Sequence, residues 1–265
     1  RMALRGVQPE SASELKRAQK LADAWKVPLL PSADSPSLEN REDLSGVKVI
    51  VQANALALGF MDKKKGKPYI VDFQSPTWRS RFQQPVSKQH IFRRAMGVNG
   101  DEAIHVFDAT AGFGQDSLMA LSLGCSVTAA ERSPVVFALL QNGIERARED
   151  EMLKTALQRL QVKCGESVEI LQSIAGAQAP DVVFIDPMFD KPKKSAKSPK
   201  EMQLLQELVP AGTAVEEEQL LSVALSIAKR RVVVKRPLKM RALKGTSHSF
   251  KGQSIRYDVY LVIKK

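Results

Sequence analysis

Two short stretches of this 265-residue chain carry residue types at spacings that chemistry requires. The first, Asp108-Ala109-Thr110-Ala111-Gly112-Phe113-Gly114-Gln115-Asp116, follows an apolar run and precedes a helix pattern. In a doubly wound sheet that junction is where nucleotide-like ligands bind, and small residues there let the ligand approach the backbone. The spacing is G-x-G without the third glycine of the dinucleotide fingerprint, and no Gly-Lys-Ser/Thr follows, so a phosphate-cradling loop is poorly supported. Glu131 closes the next apolar run 23 positions after Asp108, close to the ~20 at which an acidic residue meets a ribose diol. A ribose-bearing ligand is the expectation. The alternative makes Gly112 and Gly114 a tight turn and Glu131 a solvated loop charge.

The second stretch is Asp186-Pro187-Met188-Phe189, which continues directly from the apolar run Val182–Ile185. A carboxylate, a proline carbonyl and an aromatic ring would then leave the carboxyl end of a central strand, the edge where active sites of α/β proteins sit. This set suits an exocyclic amine of a nucleobase, whose lone pair is delocalised into the ring. Acceptors for both N–H groups, the Asp186 carboxylate and the Pro187 carbonyl, favour a pyramidal nitrogen, and Phe189 can stack on the base. Asp186, Pro187 and Phe189 are therefore the candidate catalytic residues. The alternative is an Asp-Pro turn ending a strand, with Phe189 in the core.

The elements that must position these residues are legible from periodicity. A helix is expected from about Ser11 to Trp25, opened by Ser11-x-x-Glu14 in capping-box spacing and stopped by Pro28. Strands Val47–Val51, Ala55–Phe60 and Tyr69–Phe73 follow, the last two joined by the lysine-rich turn Asp62–Lys67. For that lysine tip the plain reading of solvated loop charge is preferred. Ser75 to Gly100 reads as connector plus contact surface, crowded with Trp78, Arg79, Arg81, Phe82, Lys88, His90, Arg93 and Arg94. From Ile104 strands alternate with helices. The expected elements are strand Ile104–Phe107, helix Gln115–Leu123, strand Ser126–Ala130, a helix opened by Ser133-Pro134, and strands Arg159–Cys164 and Val182–Ile185. A helix over Val215–Ala228, with Glu216–Glu218 at its start and Lys229 and Arg230 at its end, matches the helix dipole and precedes strand Arg231–Lys235. Ser247–Gly252 reads as the turn of a closing antiparallel hairpin whose strand is Ser254–Ile263. The fold class expected is α/β: a mostly parallel sheet over residues 75–265 with an antiparallel C-terminal hairpin, preceded by a smaller α+β part over residues 1–74.

Composition narrows the partners. Forty Lys+Arg against 29 Asp+Glu give a net charge of +11 and a pI near 9.7, a field that attracts polyanions. The cations cluster at Lys63–Lys67, Arg79–Arg94, Lys191–Lys200 and Lys235–Lys244. A cationic rim beside the motifs suits a polynucleotide, because phosphate contacts orient it without reading bases. The candidate RNA-binding residues are Arg79, Arg81, Arg93, Arg94, Lys191, Lys193, Lys194, Lys197, Lys235 and Arg236. No run approaches the ~18 apolar residues a membrane helix needs. The start lacks a secretory signal pattern, and Arg1 ahead of Met2 reads as a remnant of expression. Cys125 and Cys164 are too few for a disulfide framework and fit a reducing cytoplasm. His90, His105 and His248 lack metal-ligand spacing, so no metal is expected.

Taken in order, Asp108-x-x-x-Gly112-x-Gly114-x-Asp116, Glu131-Arg132-x-Pro134-Val135-Val136, Asp186-Pro187-Met188-Phe189 with Lys194-Ser195-Ala196, and Val232-Val233-Val234-Lys235-Arg236-Pro237 resemble the small-subunit ribosomal RNA methyltransferase J family. The similarity runs from about Tyr69 to the C-terminus. It implies a Rossmann-like class I methyltransferase that uses S-adenosylmethionine, releases S-adenosylhomocysteine and methylates the N2 amine of a guanine in 16S ribosomal RNA, free or within the 30S subunit. By the same resemblance the cofactor would be met by Gln115 and Asp116, by Glu131 and Arg132, by Glu166 and Ser167, and by Asp186. Asp108, Gly112 and Gly114 would shape the loop that receives it. The chain departs from the family pattern at Gln115, usually Arg, at Glu166, usually Ser, and in Arg79-Ser80-Arg81-Phe82-Gln83-Gln84-Pro85-Val86, where the family is glycine-rich. Three other readings stay open on the residues: an adenine- or cytosine-amine methyltransferase, a dehydrogenase disfavoured by the missing third glycine, and a non-catalytic RNA-binding module.

Overall fold

The computed structural model describes residues 4–33, 35, 45–84, 86–100, 102–188 and 199–263. In chain order the first elements are β1 (Leu4–Pro9), α1 (Leu15–Trp25), β2 (Val47–Val51), β3 (Leu56–Phe60), β4 (Tyr69–Ile70), α2 (Pro76–Gln83) and α3 (Ile91–Met96). Then come β5 (His105–Asp108), α4 (Gln115–Ser122), β6 (Ser126–Glu131), α5 (Pro134–Ala147), α6 (Glu151–Leu157), β7 (Leu160–Cys164), α7 (Ser167–Ser173) and β8 (Val182–Ile185). The last are α8 (Lys200–Leu208), α9 (Ala214–Ile227), β9 (Arg231–Pro237), β10 (His248–Lys251) and β11 (Ile255–Leu261). Backbone contacts group these into two compact units, and two later segments, Ser133–Ala147 and Asp190–Ala211, join Arg1–Phe73 in the first. A linear reading of the sequence does not assign them there.

The first unit is a four-stranded sheet in the order β1-β2-β3-β4, with β1 parallel to β2 and the other pairs antiparallel. Every residue of β2 and β3 is buried, which demands cover on both faces of the sheet. Helix α1 packs on β1 and β2, α5 on β3, and α8 on β2 and β3. The expected capping box at Ser11 and Glu14 is present, opening a 3-10 turn at Ala12–Glu14 that leads into α1. Strand β1 is invisible to periodicity because five of its six residues, Gln8 and Pro9 among them, are buried and nothing alternates. Within this unit α5 comes close to the chain after β4. Asn142 accepts the Leu56 N–H at 2.8 Å, Arg146 donates to the Val71 carbonyl, and Gly143 lies where a Cβ would come within 2.6 Å of Val71 Cγ1 and 2.8 Å of its carbonyl oxygen.

The second unit holds a seven-stranded sheet in the order β10-β11-β9-β8-β5-β6-β7. Strands β7, β6, β5, β8 and β9 are parallel, and β11 enters antiparallel between β9 and β10. After β5 the chain turns to β6 and β7 on one side, then returns to β8 on the other, so the order reverses at β5. That reversal opens a crevice at the carboxyl ends of β5 and β8. Phe107, Val183, Ile185, Val232, Val234 and Tyr260 pack with Leu171 of α7 and Leu221 and Ala224 of α9 in one buried cluster. Phe92 of α3 meets Phe184 and Tyr257 edge-on, with ring centroids 5.5 and 5.6 Å apart.

Two expectations are corrected here. Ser75–Gly100 is not a bare connector: Pro76 opens α2, and α3 buries Phe92, Ala95 and Met96 while Arg93 and Arg94 interrupt the apolar pattern. The span Ser247–Gly252 is mostly strand, since His248–Lys251 pair with Val259–Arg256, and the turn falls after it, where Gly252 N–H donates to the Ile255 carbonyl at 2.8 Å. Polar residues on a strand at the edge of a sheet carry little hydrophobic signal.

Gly143 supplies a test of the packing in the first unit. In an exposed helix Gly→Ala stabilises by about 1 kcal/mol, but at Gly143 the added methyl overpacks against Val71. Gly143→Ala is expected to lower stability by about 1–2 kcal/mol, read as a lower urea midpoint. A gain in stability would show that the close approach does not constrain the position.

Candidate functional site

All elements of the site lie in the second unit, and the loop between β5 and α4 is its centre. Its backbone is fastened to both neighbouring strands, the Ala109 N–H to the Phe184 carbonyl at 2.9 Å and the Ala111 N–H to the Ala130 carbonyl at 3.0 Å. Gly112 and Gly114 take positive φ of 52° and 79°, a turn that L side chains resist. Asp108 is fully buried beneath the loop, where its carboxylate accepts the Thr110 N–H at 3.0 Å and the Ser117 hydroxyl at 2.5 Å. Burial pushes its carboxyl up to about 7, with the Asp116 and Asp186 charges adding and the two hydrogen bonds opposing.

Glu131, 6% exposed at the end of β6, accepts the Gly112 N–H on Oε2 at 2.9 Å. The acidic residue that sequence spacing assigned to a ribose therefore stands directly against the glycine loop. Ser167, at the start of α7, donates its hydroxyl to the Ala109 carbonyl, so this side chain braces the loop. Gln115, Arg132 and Glu166 are exposed around the same carboxyl edge.

Asp186 leaves β8 beside this loop, and its N–H donates to Thr110 Oγ1 at 2.7 Å. Its carboxylate meets the ammonium of Lys235, the fifth residue of β9, at 2.8 Å, and the same ammonium meets Asp116 at 2.9 Å. Burial pushes the Asp186 carboxyl up to about 6, Lys235 pulls it down, and the neighbouring Asp116 carboxylate pushes it up again. Desolvation works against the Lys235 charge, but the two carboxylates outweigh it and hold the ammonium protonated. Tyr257, directly across from Lys235 on β11, has its hydroxyl pushed up, first by burial. Pro187 follows at the strand end, half-buried.

Two cations expected to contact RNA are engaged within the fold. Lys235 is held between Asp116 and Asp186, and Arg236 is buried with Nη2 on Glu217 at 2.7 Å. Other candidates are also engaged. Arg79 pairs with Asp150 at 2.7 Å, Arg81 stacks over Trp78, Arg93 donates to the Val86 and Val98 carbonyls, and Arg94 lies over the Phe250 ring. Phe189, Lys191, Lys193, Lys194 and Lys197 fall outside the described residues. The sequence reading missed Thr110 and Ser117 as parts of the site, although both sit in or beside the glycine motif. Nor does it show Lys235 meeting Asp116 and Asp186, because which strand neighbours β9 is not written in the local sequence.

The set of charges has a chemical consequence. Asp116 and Asp186 share one ammonium and Glu131 adds a further carboxylate at the glycine loop, a balance that suits a ligand carrying positive charge along with a ribose. No group of three or more His, Cys, Asp or Glu able to hold a metal occurs among the described residues, and no helix among them is long and apolar enough to cross a membrane.

The chain and its fold resemble those of known proteins. Residues 33–262 match the family described as "Putative SAM-dependent methyltransferase". A crystal structure of a SAM-dependent methyltransferase from Neisseria gonorrhoeae superimposes with a TM-score of 0.69 at 28% identity, over 97% of this chain and 96% of that one. The reversing seven-stranded sheet, the family match and this structural neighbour thus define a class I S-adenosylmethionine-dependent methyltransferase. Ribosomal RNA small subunit methyltransferase J of Thioalkalivibrio sulfidiphilus is 36% identical over 93% of each chain, and that of Pseudoalteromonas atlantica is 38% identical over 96% of this chain and 97% of its own. The chain belongs to the ribosomal RNA small subunit methyltransferase J family.

Asp108 gives a pH-dependent signature. A carboxyl raised from 3.8 to about 7 in the fold binds its proton more tightly there than in the unfolded chain. Its contribution to stability is complete below the unfolded value and is lost as pH rises through about 7. Asp108→Asn keeps an acceptor for Thr110 and can donate to Ser117, without the ionisation. The variant is expected to lose less stability than the wild type between about pH 5 and pH 8, measured by denaturant melts across that range. Parallel curves would remove the assignment.

Proposed function

We propose that the protein transfers a methyl group from S-adenosylmethionine to the exocyclic N2 amine of a guanosine in small-subunit (16S) ribosomal RNA, presented as free RNA or within the 30S subunit. The relatives' name supports ribosomal RNA as the substrate. The observation that carries the amine chemistry is the Asp186 carboxylate, fixed at the carboxyl end of β8 by Lys235 and by its N–H on Thr110. A cytoplasmic location accords with that substrate.

The residues fit the cofactor. Glu131 offers a carboxylate for a ribose diol, the backbone of Gly112 and Gly114 leaves room for close approach, and the excess of carboxylates suits a sulfonium. Gln115 and Asp116 at the start of α4, Arg132 after β6, Glu166 and Ser167 before α7, and Asp186 complete the set assigned to it. When bound, S-adenosylmethionine supplies a methyl group made electrophilic by the sulfonium. The chain does the rest by position and charge. Asp186 and the Pro187 carbonyl accept the N–H groups of the base amine, turning its lone pair outward. Lys235 keeps the Asp186 carboxylate from swinging and Thr110 holds its backbone N–H, so the acceptor is in place before the substrate arrives. The methylated amine must shed one proton, and Asp186, with its carboxyl at about 6, can take it and release it to water. No covalent enzyme intermediate is needed.

Digestion of hypomethylated 16S RNA to nucleosides after reaction with tritiated S-adenosylmethionine is expected to place the label in N2-methylguanosine. Label on adenosine or cytidine would overturn the base assignment, and absence of label would overturn the reading as a whole. Asp186→Ala should lower kcat by roughly 100-fold or more. Glu131→Ala should weaken cofactor binding by about 1.5–3 kcal/mol while leaving RNA affinity in place. Lys235→Met takes away the charge that holds the Asp186 carboxyl down, so the acid limb of its pH–rate profile is expected to move to higher pH. An unmoved limb would separate Lys235 from the ionisation of Asp186.

A further inference from the structure

We propose that Lys63, Lys64, Lys65, Lys67 and Lys200, all in the first unit, form a docking surface for the phosphate backbone of the RNA substrate beyond the nucleotide that is modified. This deepens the function proposed above and rests on RNA being the substrate. Sequence alone favours a solvated lysine tip for residues 63–67. The structure adds a fifth cation from a distant part of the chain and fixes the backbone beneath Lys63, Lys64 and Lys65.

The connection from β3 to β4 is built rather than loose. Lys63–Lys65 form a 3-10 turn whose Lys64 N–H is capped by Asp62 Oδ1 at 2.9 Å. The Gly66 N–H closes it on the Lys63 carbonyl at 3.1 Å, with Gly66 at φ 105°. That φ and the lack of a side chain admit Lys200: a Cβ on Gly66 would lie 3.0 Å from the Lys200 ammonium nitrogen. Lys200 is the first residue of α8, which packs on β2 and β3 and so carries its ammonium to the turn as part of the fold. Lys65 is steered over the Phe60 ring, 5.0 Å from its centroid.

Lys63, Lys64, Lys65 and Lys67 are exposed, and none of the five lysines is ion-paired among the described residues. The one carboxylate in the turn, Asp62, is engaged by the backbone. Gathering five ammonium groups, none of them ion-paired among the described residues, costs repulsion in the free protein. A polyanion relieves that repulsion and releases its own counterions on binding. Lysines are hydrated point charges on flexible stems, suited to phosphates of any sequence rather than to base edges. The surface therefore fits a role in affinity and orientation, leaving base choice to the Asp186 site.

The test compares wild type with K63Q/K64Q/K65Q/K67Q/K200Q and with the same five positions changed to Arg. RNA affinity is measured by filter binding across a salt series, alongside turnover on hypomethylated 16S RNA. The Gln variant is expected to raise Kd and KM for RNA by about tenfold or more near physiological salt and to flatten the slope of log Kd against log salt by about 3. The loss should fall on KM rather than kcat, with cofactor affinity unchanged. The Arg variant should bind RNA like the wild type. An unchanged salt slope and KM in the Gln variant would overturn the proposal, as would equal loss in the Arg variant. Intact binding of naked RNA with weaker binding of assembled subunits would assign the surface to an acidic protein and overturn it too. If wild type binds RNA through these lysines yet forms no N2-methylguanosine, the proposed reaction falls and the docking surface stands.

Discussion

The ammonium of Lys235 between Asp116 and Asp186 is the contact on which the site depends. Three strands and a helix meet there: Asp116 opens α4 after β5, Asp186 ends β8, and Lys235 lies on β9. Two carboxylates brought this close would repel and take up protons without a cation. Removing one member of such a half-buried cluster leaves the others uncompensated, so the cluster ties correct strand order to a working site. The glycine loop depends on the same junction, because Thr110 at its start holds the Asp186 N–H.

Around that contact the loop is fastened from every side. Ala109 and Ala111 are bonded to β8 and β6, Gly112 to Glu131, and Ser167 to Ala109. Such bracing holds the Glu131 and Asp186 carboxylates in fixed positions, and preorganisation of that kind is where catalysis by position draws its advantage. Asp108 carries the cost. It is buried beneath the loop with its carboxyl at about 7, so the fold gives up stability at neutral pH to hold the turn in shape.

Each unit carries a charged feature of its own. The second gathers carboxylates around the glycine loop, whereas the first presents lysines on a capped turn with a glycine cleared for Lys200. The first unit is also discontinuous in sequence. Helices α5 and α8 leave the run of the second unit's sheet: α5 packs on β3 and α8 on β2 and β3, strands whose every residue is buried.

Much of this is legible in the order of the residues. Alternating apolar runs place β5, β6, β8 and β9 within a residue or two, because parallel strands buried on both faces must be continuously apolar. Glycines at 112 and 114, Glu131 and Asp186 are identifiable because their chemistry depends on local spacing. Periodicity cannot show β1, whose buried residues do not alternate, or β10, whose residues are polar at a sheet edge. Nor can it show that Lys235 and Arg236, adjacent in a basic run, are each consumed by carboxylates. Their partners come from α4, β8 and α9. The succession of β5, β6, β8 and β9 and the spacing of the candidate site residues are set by neighbours along the chain, so the amino-acid sequence suffices for both. Which charges meet is settled only in three dimensions: Lys235 with Asp186, and Lys200 with the turn at Gly66. Those contacts join residues 49 positions apart or more, and strand order and helix packing bring them together.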